Sequence, residues 1–327
     1  VAQLHCANPA VVNPLLKFMC EFCYNRSQRL IFDPYSVNGI LLFKEVSKVI
    51  CAYGQGLMLS VPPINESEDG DSAMGGIKPG SNYGYNTAYK GIAVVLKTMT
   101  RLLSGGYVNF GVFGLYNDPT LDNALTTSIR LAFWIPPKDL LGFPKVMKAF
   151  FSFTEVLCAN HCQFLANMGG EDVKKFVTLT KAGLDSHDTP VSSQCAATID
   201  NIVSFCQSPP RRKEEEAATL RAKFAPDQTV PYELLTLLFE MILSEECPNQ
   251  WSVSRPMFSL IVAFPEVFGE LKASMIRAQT NAENVKGMEE AFDQLFRDIN
   301  PTLKAKERDR FTQHIGAFRR DVRALTA

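Results

Sequence analysis

No run of the sequence reads as a β-strand, and no stretch carries an assembled catalytic signature. The G-x-x-x-x-G-K-[ST] loop that cradles phosphates is missing, as are the G-x-S-x-G elbow and the H-E-x-x-H pair. Nucleotide hydrolysis and the common hydrolytic chemistries therefore have no carrier. Excess charge of one sign is lacking too: 33 Lys and Arg stand against 34 Asp and Glu, a formal net charge of −1. A nucleic-acid binder needs a basic footprint, so no nucleic-acid partner is expected. No window reaches ~18 uninterrupted apolar residues, which argues against membrane insertion. Val1 is not an initiating methionine, and Val1 to Pro9 lacks the basic flank and apolar run of a signal peptide. The expectation is a soluble fragment of a longer protein. Nine cysteines, an odd count, lie partly inside apolar helical faces (Cys51, Cys158, Cys206). That usage suits buried thiols of the cytosol or nucleus better than a disulfide framework.

What recurs instead is helical periodicity. Ile92, Val95, Leu96, Met99, Leu102 and Leu103 follow the i, i+3, i+4, i+7 rule before Gly105-Gly106 stop the helix. Phe311, Ile315, Phe318, Val322 and Leu325 form a second stripe within a helix from Lys304 to Arg323. The same pattern predicts helices near Pro14–Tyr24, Val37–Tyr53, Leu121–Ile135, Pro144–Met168, Asp172–Asp185, Val191–Gln207, Tyr232–Glu246, Phe258–Phe268 and Val285–Ile299. Tyr232 to Leu243 is apolar on nearly all sides, as an inner helix should be. Proline or glycine marks most joints, among them Pro34, Pro119, Pro136-Pro137, Gly169-Gly170, Pro190, Pro231, Pro248, Pro265 and Pro301.

Two segments read as solvated inserts. Residues 62–86 carry Glu66, Glu68, Asp69 and Asp71 and then a glycine-rich run, and residues 208–229 carry Arg211-Arg212-Lys213 followed by Glu214-Glu215-Glu216. With both set aside, the remaining successive helix pairs predict an all-α fold, an α-solenoid of HEAT-like antiparallel hairpins like the arrays that stack units of ~40–47 residues, although the repeat length here is too irregular to define a period. A compact, non-repeating helical domain is the other option.

Isolated residues offer little chemistry. Cys158, His161 and Cys162 fall at i, i+3 and i+4 of a helix and could share zinc, with Cys20 and Cys23 completing the set. The competing reading puts those thiols on the buried face of a Phe-rich helix. Gly54 and Gly56 lack the third glycine of a nucleotide fingerprint and read as a helix stop. His187-Asp188 before Pro190 reads as a helix start. Neither a cofactor nor a metal is expected, and the surplus cations of Lys304 to Arg323 read as a solvated flank.

Several words of the chain carry more. NRSQRL (25–30), NGILLFKE (38–45), YVNFGVF (107–113), LDNAL (121–125), NQWSVSRP (249–256) and RDRFTQHIGAFRRDV (308–322) resemble, in order and spacing, the C-terminal part of an exportin of the importin-β (karyopherin-β) superfamily. The resemblance implies a stack of HEAT-type hairpins that carries protein export cargo through the nuclear pore. Its implied partners are Ran-GTP, through the full-length receptor, the cargo, and nuclear pore proteins. It implies shuttling between nucleus and cytoplasm, with no catalysis by the receptor itself. Asn25, Arg26, Gln28, Arg29, Asn249, Gln250, Arg255, Arg308 and Arg310 are the polar, non-core residues expected to touch partners, or else to cap and pair the repeats. Two rivals stand beside this reading: a cytosolic helical-repeat scaffold unrelated to Ran, and a zinc-dependent helical hydrolase around His161.

Overall fold

Helix starts follow from side-chain chemistry. Asn8 accepts the Ala10 N–H at 3.1 Å with Pro9 in the first turn, Asp188 accepts that of Val191 at 3.3 Å, and Asn281 that of Asn284 at 2.7 Å. Each side-chain oxygen satisfies a donor that the first turn leaves unpaired. A computed structural model describes residues 2, 5–32, 36–60 and 85–326, and among them lie fifteen α-helices and no strand. The fold class is an all-α helical-repeat solenoid of HEAT-type hairpins, as the periodicity predicts. The predicted joint at Pro34 and residues 61–84, which hold nearly all of the acidic and glycine-rich insert, lie outside the described residues.

The chain divides into two compact units, Val1–Asn160 and His161–Ala327. The first holds α1 (Pro9–Phe22), α2 (Asn38–Ser60), α3 (Lys90–Ser104), α4 (Gly111–Leu115), α5 (Thr120–Trp134), α6 (Pro137–Gly142) and α7 (Pro144–His161), the last reaching the boundary. Helix α2 packs on α5 and α1 on α3. The stripe expected of α3 is fully buried: Ile92, Val95, Leu96, Met99 and Leu102 are each 0% exposed. At the α2 and α4 contact Phe43 sits 5.2 Å from both Phe110 and Phe113. Gly54 does not stop α2, which runs on to Ser60. A Cβ there would lie 2.4 Å from Thr127 Cγ2, so the glycine lets α2 and α5 approach closely.

The second unit holds α8 (Gly170–Leu184), α9 (Thr189–Gln207), α10 (Glu214–Phe224), α11 (Thr229–Leu243), α12 (Gln250–Ala263), α13 (Pro265–Arg277), α14 (Ala282–Leu295) and α15 (Ala305–Thr326). Three antiparallel hairpins, α8/α9, α11/α12 and α14/α15, follow one another, with α10 and α13 as linking helices. The second helices form one layer, α9 on α12 and α12 on α15. Helix α11 buries Leu234, Leu235, Leu238, Phe239 and Ile242 on one face, while Glu233 and Glu240 stay exposed on the other, so it is not the inner helix, covered on all sides, that its apolar run predicts.

Further expectations are corrected. Residues 208–229 are not a loose insert, because α10 occupies their middle and buries Ala217, Leu220 and Phe224. Glu214, Glu215 and Glu216 fill its first turn and Arg221 and Lys223 its last, the arrangement that the helix dipole favours. Lys223 Nζ further donates to the carbonyls of Ala166 and Met168 at 2.6 and 2.7 Å. The helix predicted over Phe258–Phe268 is two helices, split where Pro265 begins α13. The helix predicted over Pro144–Met168 ends at His161 and continues as a 3₁₀ segment, Cys162–Asn167.

Candidate partner-binding surface

The expected contact residues divide into those held by the fold and those left to solvent. In the second unit a polar ladder crosses the α9, α12 and α15 layer. Arg308 Nη1 donates to both carboxylate oxygens of Asp200 at 2.7 Å, and its Nη2 donates to Ser204 Oγ at 2.6 Å. Ser259 Oγ donates to the same Asp200 carboxylate. Alongside, Arg255 Nη2 meets Asp309 Oδ1 at 2.7 Å, and the hydroxyls of Ser254 and Thr312 lie 2.8 Å apart. The Arg308 and Asp200 side chains are only 12% and 19% exposed, so little of this pair faces a partner. Asn249 Nδ2 donates to Ser192 Oγ at 3.0 Å, tying the second hairpin to the first, and Arg310 donates to the Asp298 carbonyl. Gln250 borders a hollow of about 420 Å³ with Arg319, Arg320 and Arg323. Arg319 Nη2 donates to the carbonyls of Ser244 and Glu245, both at 2.8 Å, which satisfies the end of α11.

The first unit treats its own word in the same way. Asn25 Nδ2 donates to the Gly105 carbonyl at 2.8 Å, and its Oδ1 accepts the Leu30 N–H at 2.7 Å. Arg29 donates to the carbonyls of Glu21 and Tyr24 at 2.7 and 3.0 Å, closing the end of α1. Between these anchors Ser27 and Gln28 both hold φ near 55°, the left-handed region that non-glycine residues seldom occupy. Arg26 and Gln28 are exposed on this turn.

The described thiol and imidazole groups are not gathered as metal ligands would be. The i, i+3, i+4 register needed by Cys158, His161 and Cys162 is broken where α7 ends at His161. Burial, and behind it Lys213, lowers His161 to about 4. Burial, then the neighbouring Cys20, pushes the Cys23 thiol up to about 12, so it stays protonated and poor as a ligand. Among the described residues no group of three His, Cys, Asp or Glu is placed to hold a metal ion. No helix of the described residues is long and apolar enough to cross a membrane.

One feature escapes the sequence words. A groove between α1, α3 and α7 in the first unit is lined by Lys17, Lys90, Lys97, Arg101, Lys145 and Lys148. The i, i+7, i+11 spacing of Lys90, Lys97 and Arg101 puts three of these cations on one helix face, a signal visible in the sequence once α3 is assigned.

No family model and no solved structure matches the chain. Curated proteins do. Exportin-7-B of Xenopus laevis is 35% identical over 327 residues, covering 96% of this chain and 28% of the relative. Ran-binding protein 17 of Homo sapiens is 34% identical over 324 residues, with the same coverage, and Exportin-7 of Dictyostelium discoideum is 28% identical over 321 residues, 98% of this chain and 30% of the relative. The chain thus spans under a third of the length of the curated relatives it matches.

Proposed function

The chain is homologous to exportin-7 and Ran-binding protein 17 across nearly its whole length, and we propose that it is a C-terminal stretch of a nuclear transport receptor of that kind. The observation that carries the reading is this homology, joined to a fold made of stacked hairpins. In this reading the complete receptor binds Ran-GTP and a protein cargo, meets nuclear pore proteins, and shuttles between nucleus and cytoplasm. It binds and releases without catalysis, and GTP is hydrolysed on Ran. Stacked hairpins suit the task, because small changes at each junction add up, and two ligands that favour the same arrangement strengthen each other's binding.

Within this stretch Arg26, Gln28 and Gln250 serve as the partner contacts. Asn25, Arg29, Asn249, Arg255, Arg308 and Arg310 hold the repeats that present them. The left-handed turn at Ser27 and Gln28 supports this division, since such backbone persists only where its surroundings enforce it.

Pull-down of the full-length receptor on immobilised Ran tests the proposal. Enrichment on Ran loaded with a non-hydrolysable GTP analogue over Ran-GDP is the expected outcome. Equal recovery on both forms would leave the cytosolic scaffold reading in its place.

A further inference from the structure

Several cations on the helix surfaces of this protein are matched by an acid of another segment: Lys44 with Asp118, Lys181 with Glu233, Arg255 with Asp309 and Lys272 with Asp293. The groove between α1, α3 and α7 instead gathers cations from three helices along one strip. It encloses about 940 Å³, six Lys and Arg line it, and no Asp or Glu is among its described lining residues. Five of the six, Lys17, Lys90, Lys97, Lys145 and Lys148, are solvent-facing. The sixth, Arg101, is fixed: its Nη1 donates to the Cys20 carbonyl at 2.6 Å and to Glu21 Oε1 at 2.9 Å, and its guanidinium lies 4.1 Å over the Tyr24 ring. Glu21 thus serves the rim by holding Arg101 in place. The floor between the cations is small and partly hydroxylated, with Ala93, Val94, Thr100, Ser104, Ala149 and Ser152.

We infer that this groove docks an acidic, extended segment of a partner protein. Lys90 to Arg101 spans eleven helical steps, roughly 16 Å at ~1.5 Å each. About five residues of extended chain cover that length at ~3.3 Å each. Small floor residues let a backbone lie close, and lysine stems provide apolar walls while their ammonium groups reach the ligand's carboxylates. Six cations in one concave strip of a chain with net charge −1 concentrate the attractive field where it is useful. A single nucleic-acid strand fits less well, because successive bases need several aromatic faces to stack on, and the described lining offers one aromatic residue, Tyr24, with one ring face taken by Arg101. This docking does not depend on the transport reading and stands or falls apart from the Ran pull-down.

The test uses the 327-residue chain and a fluorescein-labelled decapeptide of alternating Asp and Glu, read by anisotropy at 50 and 300 mM KCl. Binding that weakens by tenfold or more on raising the salt is expected. The triple variant Lys90→Gln, Lys97→Gln, Lys145→Gln should lose at least tenfold in affinity at low salt. The control triple Lys138→Gln, Lys286→Gln, Lys306→Gln, which removes the same charge elsewhere, should stay within twofold of the parent. All these lysines are exposed, and matched thermal melts confirm that the variants remain folded. Equal losses in both triples would overturn the inference, as would no loss in the groove triple. A ten-nucleotide oligo-dT that binds the groove tighter than the peptide would overturn it in favour of nucleic acid.

Discussion

Arg308 and Asp200 show how a residue-scale reading depends on partners far along the chain. Their hydrogen bonds join positions 108 residues apart, so the sequence marks Arg308 as special without revealing what it holds. Asn25, Asn249 and Arg255 share this property, with acceptors on other helices or turns. Bracing and partner contact look alike in sequence because both ask for a polar side chain outside the core. Arg308→Met should cost about 2–4 kcal/mol, between the values for exposed and fully buried pairs, since it leaves the Asp200 carboxylate enclosed. A denaturant double-mutant cycle with Asp200→Asn should give a coupling above ~1 kcal/mol. Additive losses would show that the pair does not act together. His161 sets a second residue-scale expectation. Burial first, then Lys213, lowers its folded value to about 4 from the usual 6.5. Between these values the unfolded chain binds a proton that the folded chain refuses, so stability rises with pH across this window. The protonation cost is absent above about pH 6.5, grows as pH falls, and levels off below about pH 4 at ~3 kcal/mol, or ~1.4 for each pH unit. His161→Gln should flatten the slope of unfolding free energy between pH 4 and 6.5 in urea titrations; an unchanged slope would assign it to other groups.

At the scale of elements, apolar periodicity made most of the long helices legible, because burying one stripe of a helix leaves a 3.6-residue signature. It failed where charge carried the helix. Glu214 to Glu216 and Arg221 to Lys223 stabilise the two ends of α10, yet the same composition describes a solvated loop. Gly54 failed for a related reason: a glycine that admits a neighbouring helix and one that ends its own helix look the same locally. Gly39 gives a sharper case, since a Cβ there would lie 2.0 Å from the Tyr107 carbonyl oxygen, a backbone atom with little room to yield. Gly39→Ala should therefore destabilise by about 1–3 kcal/mol, read as a lower denaturation midpoint. Phe318 is 2% exposed and packs 5.0 Å from Phe292 and 6.0 Å from Phe239, joining α15 to α14 and α11. Phe318→Asp should fray the α14/α15 hairpin at a cost of several kcal/mol. Limited proteolysis would then cut within 282–326 early, and parental resistance there would mean that the helix is not held by this ring.

For the whole molecule, the sequence showed helices repeating but not their period. The first helices of the second unit begin at Gly170, Thr229 and Ala282 and the second helices at Thr189, Gln250 and Ala305, so each repeat exceeds the ~40–47 residues of a simple hairpin unit. Linking helices α10 and α13 differ in length and sequence, which hides the spacing from a search for self-similarity. Collinear family words survived that irregularity because they register homology, which does not depend on internal symmetry. Repeat folds lose stability locally, so hydrogen exchange should follow the site of damage. Gly39→Ala should speed amide exchange in α2 and α5 while α14 and α15 keep their parental rates; uniform acceleration would show a single cooperative block. Purely adjacent contacts do not describe the second unit, however, because Arg308 reaches past α12 to Asp200 on α9. A hairpin fastened to the one beyond its neighbour cannot be spliced out singly. Excising 229–277 would remove Arg255 and Ser259 together, leaving Asp309 and Asp200 each short of a bonded partner. Grafting or trimming of this region has to move 170–326 as one piece.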